Sequence, residues 1–82
     1  MYDILFSDKA KKELLKLERG IQERIGAVLE RIRMRPEQFV EKLVGIPGYK
    51  LRVGDYRIII DIEHEKLVVL VITIGHRRNV YK

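Results

Sequence analysis

The sequence predicts a small α+β domain in which a helical hairpin packs on one face of a mainly antiparallel sheet. The chain has 82 residues, which is enough for one domain with one core. Its first half holds two stretches with apolar residues at helical spacing, and its second half holds three strand-like runs. A short strand pattern comes first. The predicted order is therefore β-α-α-β-β-β, in a single domain of residues 1–82.

The first strand and the first helix are separated by a capping residue. Residues 2–6 form a short apolar run with the alternation of a strand. Ser7 is typical of a helix N-cap, and Asp8 lies where a negative charge interacts favourably with the helix dipole. Residues 8–18 have the spacing of an amphipathic helix, which we expect Gly20 to break.

A second amphipathic helix follows and is predicted to run to about Arg33. Its apolar stripe consists of Ile21, Ile25, Val28, Leu29 and Ile32. Pro36 ends this helix because proline disfavours helical geometry in the residue before it. The short connection predicts an antiparallel helix pair. Residues 36–48 are predicted to be mostly connector.

The last third of the chain predicts a meander of three strands. Residues 49–53 and 56–62 follow a two-residue period, and Gly54-Asp55 between them fits a tight primed turn with glycine first. Residues 67–74 are almost continuously apolar, as expected of a strand inside the sheet. We expect Gly75 to end that strand.

The composition limits the classes of function and partner that the chain can have. The net charge is +5 with a pI near 9.7, which indicates a polyanionic partner, above all nucleic acid. The alternative is a thermophile-like surface, since charged residues reach 35%. The chain has no cysteine and only two histidines, so we expect no metal site and no cofactor. It shows neither a signal-peptide pattern nor an apolar run of membrane-spanning length, which predicts a cytoplasmic protein without a membrane partner.

Positive charge gathers on the predicted sheet. If the Gly54-Asp55 turn is tight, Arg52 faces Arg57 on one exposed face, with Lys50 further along the same side. Like charges opposite one another are tolerated when an anion relieves them. The alternative is that both guanidinium groups point into water. Because an arginine fork binds phosphate oxygens in pairs, the pattern indicates phosphate chemistry by cationic side chains.

The C-terminal tail supplies the second half of this constellation. Arg77 and Arg78 follow Gly75, which lets the backbone leave the sheet. Tyr81 is suited to stack on a base or to bind a ribose or phosphate oxygen, although a hydrophobic clamp is an equally common role. His76 is a candidate acid or base, with a solvated strand end as the alternative.

These residues resemble the RelE toxins of the RelE/ParE superfamily. The resemblance rests on the run Tyr49-Lys50-Leu51-Arg52-Val53-Gly54-Asp55-Tyr56-Arg57, the apolar strand after it, and Gly75-His76-Arg77-Arg78 with Tyr81. It covers nearly the whole chain. It implies the toxin of a type II toxin–antitoxin system that cleaves mRNA in the ribosomal A site without a metal. The ribose 2′-hydroxyl attacks its own phosphate, and cationic residues stabilise the transition state.

The resemblance also implies roles and partners. Lys50 matches a catalytic lysine, Arg57 the phosphate-binding arginine, Arg77 the proposed general acid and Tyr81 the tyrosine that contacts substrate. We further expect substrate binding by Arg52, Arg78 and His76. The pKa of a free arginine is too high for a good proton donor, so an Arg77 acid requires a site that lowers that pKa. The partner is a RelB-like antitoxin, and any contact with DNA is made through that antitoxin.

One departure and two alternatives accompany the resemblance. Gly48 stands where some bacterial members carry another lysine, which predicts weaker activity or a role shared with Arg52 or His76. A ParE-like inhibitor of DNA gyrase would share the fold but cleave no RNA. The joint presence of Lys50, Arg57, Arg77 and Tyr81 argues against it. A basic nucleic-acid-binding module without activity is the third interpretation.

Overall fold

A computed structural model describes residues 1–76 and confirms the predicted fold class. The two helices pack on one mixed sheet in the expected order, with one further short strand in the connector. The elements are β1 Asp3–Phe6, α1 Asp8–Leu15, α2 Arg19–Ile32, a 3₁₀ turn Pro36–Gln38, β2 Glu41–Lys42, β3 Tyr49–Val53, β4 Tyr56–Glu63 and β5 Val68–His76.

The sheet has five strands in the order β1-β5-β4-β3-β2. β1 runs parallel to β5, and every other neighbouring pair is antiparallel, so the sheet is mainly antiparallel as predicted. β2 lies in the stretch that the sequence pattern assigns to connector. It pairs with the start of β3, where Glu41 lies opposite Lys50 and Lys42 opposite Tyr49.

The break between the two helices does not lie where the sequence predicts it. α1 ends at Leu15, and Gly20 belongs to the first turn of α2. The prediction that Gly20 separates the helices is therefore wrong. The chain turns over residues 16–18, and the side-chain amide of Gln22 donates a hydrogen bond of 2.9 Å to the carbonyl of Leu17. The cap at Ser7 is confirmed, since its Oγ accepts from the backbone N–H of Ala10 at 3.0 Å.

The core lies between the helices and one face of the sheet. α1 contributes one buried residue and α2 contributes three at helical spacing, while β3 and β4 contribute alternate residues. These residues are Ala10, Ile25, Leu29, Ile32, Leu51, Val53, Ile58, Ile60, Ile62, Val69, Val71 and Ile74. We call the opposite face of the sheet the outer face.

A β-bulge shifts the register between β4 and β5. Ile60 pairs with Val71 whereas Ile59 pairs with Thr73, so Ile72 is an extra residue on β5. The shift carries through the rest of the strand and places Gly75 opposite Arg57. The strand continues past Gly75, the residue at which we expected it to end, to His76.

α1 closes the edge of β5 that β1 leaves uncovered. The pairing of β1 with β5 stops at Phe6 and Val71. Beyond that point, Glu13 Oε1 accepts hydrogen bonds from Thr73 Oγ1 at 2.7 Å and from the backbone N–H of Ile74 at 3.0 Å. The Glu13 carboxylate thus satisfies a backbone N–H of β5 that no neighbouring strand reaches. Within residues 1–76, no helix has the length and apolar character needed to cross a membrane.

Candidate active site

The candidate site is built on the hairpin of β3 and β4. Gly54 has a φ of 58°, a conformation that glycine adopts readily and that fits the first position of a primed turn. This turn sets Val53 opposite Tyr56 and Arg52 directly opposite Arg57. The predicted cross-strand pair of arginines is confirmed.

Both arginines lie on the outer face. Their neighbours along the strands, Leu51 and Ile58, are buried in the core, so alternation directs Arg52 and Arg57 away from the helices. Arg52 is exposed and Arg57 is half-buried. Like charges in directly opposite positions are destabilising, and a bound anion would relieve that repulsion.

Lys50 completes this surface two residues before Arg52. It lies opposite Ile59 on the same face, and we call the surface of Lys50, Arg52 and Arg57 the cation face. The side chain of Lys50 is only 17% exposed, and its Nζ lies 3.3 Å from Oε2 of Glu41, which is 75% exposed. The sequence did not indicate Glu41, because the two-residue strand that positions it gives no recognisable pattern.

The bulge places a glycine beside Arg57. Gly75 lies opposite it and carries no side chain, so nothing from that position of β5 covers the arginine. The next pair, Tyr56 and His76, belongs to the helix side, and the two rings meet edge to face with centroids 5.7 Å apart. His76 therefore leaves the strand from the side opposite to the cation face, and its role in substrate binding stays a prediction.

The backbone at Gly48 does not suit a lysine at this position, two residues before Lys50. Its φ is 112°, which strains any residue with a side chain. A Cβ at this position would lie 3.2 Å from the carbonyl oxygen of Ile60 on β4. The backbone here requires glycine, so a lysine does not fit without a local rearrangement.

Three predicted site residues, Arg77, Arg78 and Tyr81, lie outside the described residues. Their roles stay predictions. Within the described part of the chain, no three His, Asp or Glu side chains gather as a group that would hold a metal ion. The arrangement of the cation face suits the binding of an anion through arginine and lysine nitrogens.

Comparison with known proteins identifies the family. Residues 4–81 match the family described as ParE toxin of type II toxin–antitoxin system, parDE. The chain is 34% identical over 79 residues to the mRNA interferase toxin RelE of Escherichia coli K12, covering 93% of this chain and 83% of that protein. The chain belongs to the RelE-type toxins of the RelE/ParE superfamily.

Solved structures of RelE proteins share this fold. The isolated E. coli RelE toxin has 33% sequence identity and a TM-score of 0.80, covering 99% of this chain and 92% of that chain. The E. coli RelBE toxin–antitoxin complex has 34% identity and a TM-score of 0.78, covering 93% of this chain and 96% of that chain. The RelBE2 toxin–antitoxin complex of Mycobacterium tuberculosis has 27% identity and a TM-score of 0.78, with 93% and 98% covered.

Proposed function

We propose that this RelE-type toxin is an endoribonuclease that cleaves mRNA in the ribosomal A site, in the cytoplasm and without a metal or cofactor. The observation that carries the proposal is the direct opposition of Arg52 and Arg57 on the outer face, with Lys50 on the same face. A protein of this size gains no stability from that opposition. The E. coli and Shigella flexneri relatives are named mRNA interferases, which supports the same activity.

The reaction is an intramolecular transfer at a phosphodiester. The 2′-hydroxyl gives its proton to a water molecule and attacks the adjacent phosphorus, a new bond to the 2′-oxygen forms, and the bond to the 5′-oxygen breaks. The 5′-oxygen takes up a proton and leaves as a hydroxyl, and a 2′,3′-cyclic phosphate remains. Negative charge accumulates on the non-bridging oxygens in the transition state. Preorganised cations can stabilise that charge where no metal does so.

The described residues divide this work by position. Arg57, which is half-buried and lies between Arg52 on β3 and Gly75 on β5, binds the scissile phosphate. Arg52 is exposed directly opposite Arg57 and assists Arg57 in binding the phosphate. Lys50 adds a third positive charge. Its ammonium group is paired with Glu41, so the substrate phosphate either binds it alongside Glu41 or displaces Glu41. Cations held by two hydrogen-bonded strands lose little freedom when the transition state forms.

The remaining roles fall on the tail and stay proposals. Arg77 acts as the general acid for the leaving 5′-oxygen, and Tyr81 contacts the substrate. Arg78 and His76 contribute to substrate binding. The ribosome orients the mRNA, which explains why few protein groups suffice.

We also propose that a RelB-like antitoxin neutralises the toxin by covering it. The solved RelBE complexes of related proteins support this partner. Apolar side chains are exposed on the helices, with Leu15 at 72% and Met34, just after α2, at 66%. An amphipathic antitoxin segment would bury them. The segment must offset its own ordering cost, so we expect well over ~1,000 Å² to be buried.

The test is cleavage of mRNA on programmed ribosomes by purified toxin. Arg57→Ala and Arg77→Ala should each lower the rate by about 10²-fold, because each removes charge stabilisation from the transition state. Arg31→Ala, an exposed arginine at the end of α2, is the matched control and should cleave like the parent. Thermal melting shows that the variants fold. Cleavage should persist with chelator-treated toxin added to intact ribosomes.

Two results would overturn the proposal. Cleavage by Arg57→Ala and Arg77→Ala at the parental rate would exclude the cationic mechanism. Inhibition of gyrase supercoiling by a toxin that leaves ribosome-bound mRNA intact would assign the chain to ParE-like action. The antitoxin is tested by co-purification and by repeating the cleavage assay with the partner bound.

A further inference from the structure

A fourth arginine lies against the turn that carries the cation face. Arg24 projects from α2, and its guanidinium covers the backbone of Gly54. A Cβ placed on Gly54 would lie 3.3 Å from Nη1, 3.5 Å from Cζ and 3.7 Å from Nη2 of Arg24. Because these three atoms are nearly equidistant from that point, the flat side of the guanidinium faces the turn. Glycine at this position makes so close an approach possible.

Arg24 has no evident structural task. Within residues 1–76 its guanidinium forms no hydrogen bond and no ion pair, whereas Arg19 on the same helix pairs with Glu23 at 3.6 Å. The Arg24 side chain is exposed, so removing it opens no cavity in the core. One flat side of this planar cation lies against the turn, and the side chain is exposed, so its other flat side is suited to stack on a ligand.

The same arginine lines a small cavity at the end of the hairpin. The cavity has a volume of about 140 Å³ and is lined by Ile21, Arg24, Val53, Gly54, Asp55 and Tyr56. The ring of Tyr56 also contacts the ring of His76 edge to face. The lining combines an aromatic ring, an aliphatic side chain, a planar guanidinium and a carboxylate acceptor. These are the groups that proteins use to hold a single unstacked RNA base.

The cavity and the cation face meet at one turn. Arg52 lies two residues before Gly54, and Arg57 follows Tyr56, so the hairpin end separates the two surfaces by the thickness of the sheet. An RNA strand whose phosphate lies on the outer face needs only to pass around this end to reach the cavity. A single-stranded chain is flexible enough to do so, unlike a duplex.

We infer that this cavity binds one base of the single-stranded RNA whose scissile phosphate lies on the cation face, with Arg24 stacking on that base. Arg24 is then a positioning residue that selects the register of the RNA rather than a catalytic residue. The identity of the RNA as substrate rests on the proposed function, whereas the base-binding cavity itself does not. Asp55, which is exposed beside the cavity, accepts hydrogen bonds from the base edge.

The experiment tests whether removing one RNA base weakens binding only when Arg24 is present. Labelled toxin is titrated with a short single-stranded RNA whose 2′-O-methyl riboses prevent cleavage, followed by NMR at the amides of Gly54 and Tyr56. The same RNA is then used with one abasic nucleotide, placed at each position in turn. At one position the missing base should weaken binding to the parent about tenfold. The amide shifts at the turn should shrink with it.

Three variants separate stacking from charge. Arg24→Ala should bind the intact RNA about tenfold more weakly and show no further loss with the abasic RNA. Arg24→Lys keeps the charge and the salt dependence but should also lose the effect of the base, because its ammonium is not planar. Arg31→Ala, two turns further along the same helix, should behave like the parent. Melting temperatures confirm that each variant is folded.

Several results would overturn the inference. One is that the amide shifts of Gly54 and Tyr56 do not change when RNA is added. Another is that the missing base weakens RNA binding as much in Arg24→Ala as in the parent. A third is that Arg24→Lys shows the same loss of affinity with abasic RNA as the parent. Weakened antitoxin binding with unchanged RNA binding would make Arg24 a protein contact instead. Absence of cleavage on ribosomes together with a clear base effect would refute the proposed function and leave the cavity standing. Normal cleavage without a base effect would refute the base-binding cavity and leave the proposed function standing.

Discussion

Replacement of Gly48 is the sharpest test of how the backbone limits this site. The family pattern suggests that a lysine here would add a catalytic cation, yet the geometry opposes it. A φ of 112° costs a residue with a side chain about 1–3 kcal/mol. The Cβ would also lie 3.2 Å from the carbonyl oxygen of Ile60 on β4. To relieve this close contact, β4 and the segment at residue 48 must move slightly apart. We expect Gly48→Ala to lose about 2–3 kcal/mol of unfolding free energy.

Two other glycines separate the contributions to that loss. Gly45 has a φ of 80°, but no atom lies within 4 Å of the point that a Cβ would occupy, so Gly45→Ala should cost only the backbone strain of about 1–2 kcal/mol. Gly26 lies inside α2 with the same open space around it, and Gly26→Ala should stabilise the protein by about 0.5–1 kcal/mol. The expected order of stability is Gly26→Ala, parent, Gly45→Ala, Gly48→Ala.

Thermal and denaturant unfolding measure this order directly. In a domain of this size, 1 kcal/mol corresponds to about 4–8 °C in Tm, so the steps are resolvable. Gly48→Lys should be at least as unstable as Gly48→Ala, with no gain in mRNA cleavage. A Gly48→Ala protein that melts within about 2 °C of the parent, or above Gly45→Ala, would refute the reasoning.

Two further predictions concern carboxylates that contact the sheet. Glu13→Ala should lower the free energy of unfolding by about 1–3 kcal/mol in denaturant unfolding, because the N–H of Ile74 loses its acceptor. Glu13→Gln retains an acceptor and should cost less. If both variants are as stable as the parent, the contact does not stabilise the fold. Glu41→Gln should tighten RNA binding by up to about fivefold, since it releases Lys50 from its 3.3 Å ion pair. Slower cleavage by Glu41→Gln would show instead that Glu41 positions Lys50.

The β3–β4 hairpin was predictable because local chemistry alone determines it. A two-residue turn beginning with glycine, between two runs of period two, leaves one register. The pairing of Arg52 with Arg57 follows from that register without any knowledge of the helices. The cation face is therefore largely a property of nine consecutive residues, 49–57.

The register of β5 was not predictable for an equally physical reason. From Val68 to Ile74 every residue but Thr73 is apolar, so alternation gives no information about which side chains face the core. The bulge at Ile72 decides it, and through it Gly75 rather than Ile74 lies beside Arg57. Only the packed sheet reveals this choice.

The helix break and β2 were missed because both depend on contacts distant from the local pattern. Residues 16–18 contain neither glycine nor proline, and the side chain of Gln22 holds the turn from the next helix. β2 is too short to show a period, so the ion pair of Glu41 with Lys50 exists only once β2 has paired with β3. The tail residues Arg77, Arg78 and Tyr81 stay predictions.

The alternation along β3 and β4 has a consequence for how such toxins can diverge. Residues 51, 53 and 58 hold the domain together, while their immediate neighbours 50, 52 and 57 carry the charge. A lineage can therefore replace the charged set without loss of a folded protein, and natural selection can act on the two sets separately. A chain that has lost its chemistry in this way would still be recognised by an antitoxin that binds elsewhere. Inactive relatives would then persist as competitors for that antitoxin, and they would compete through their intact fold alone.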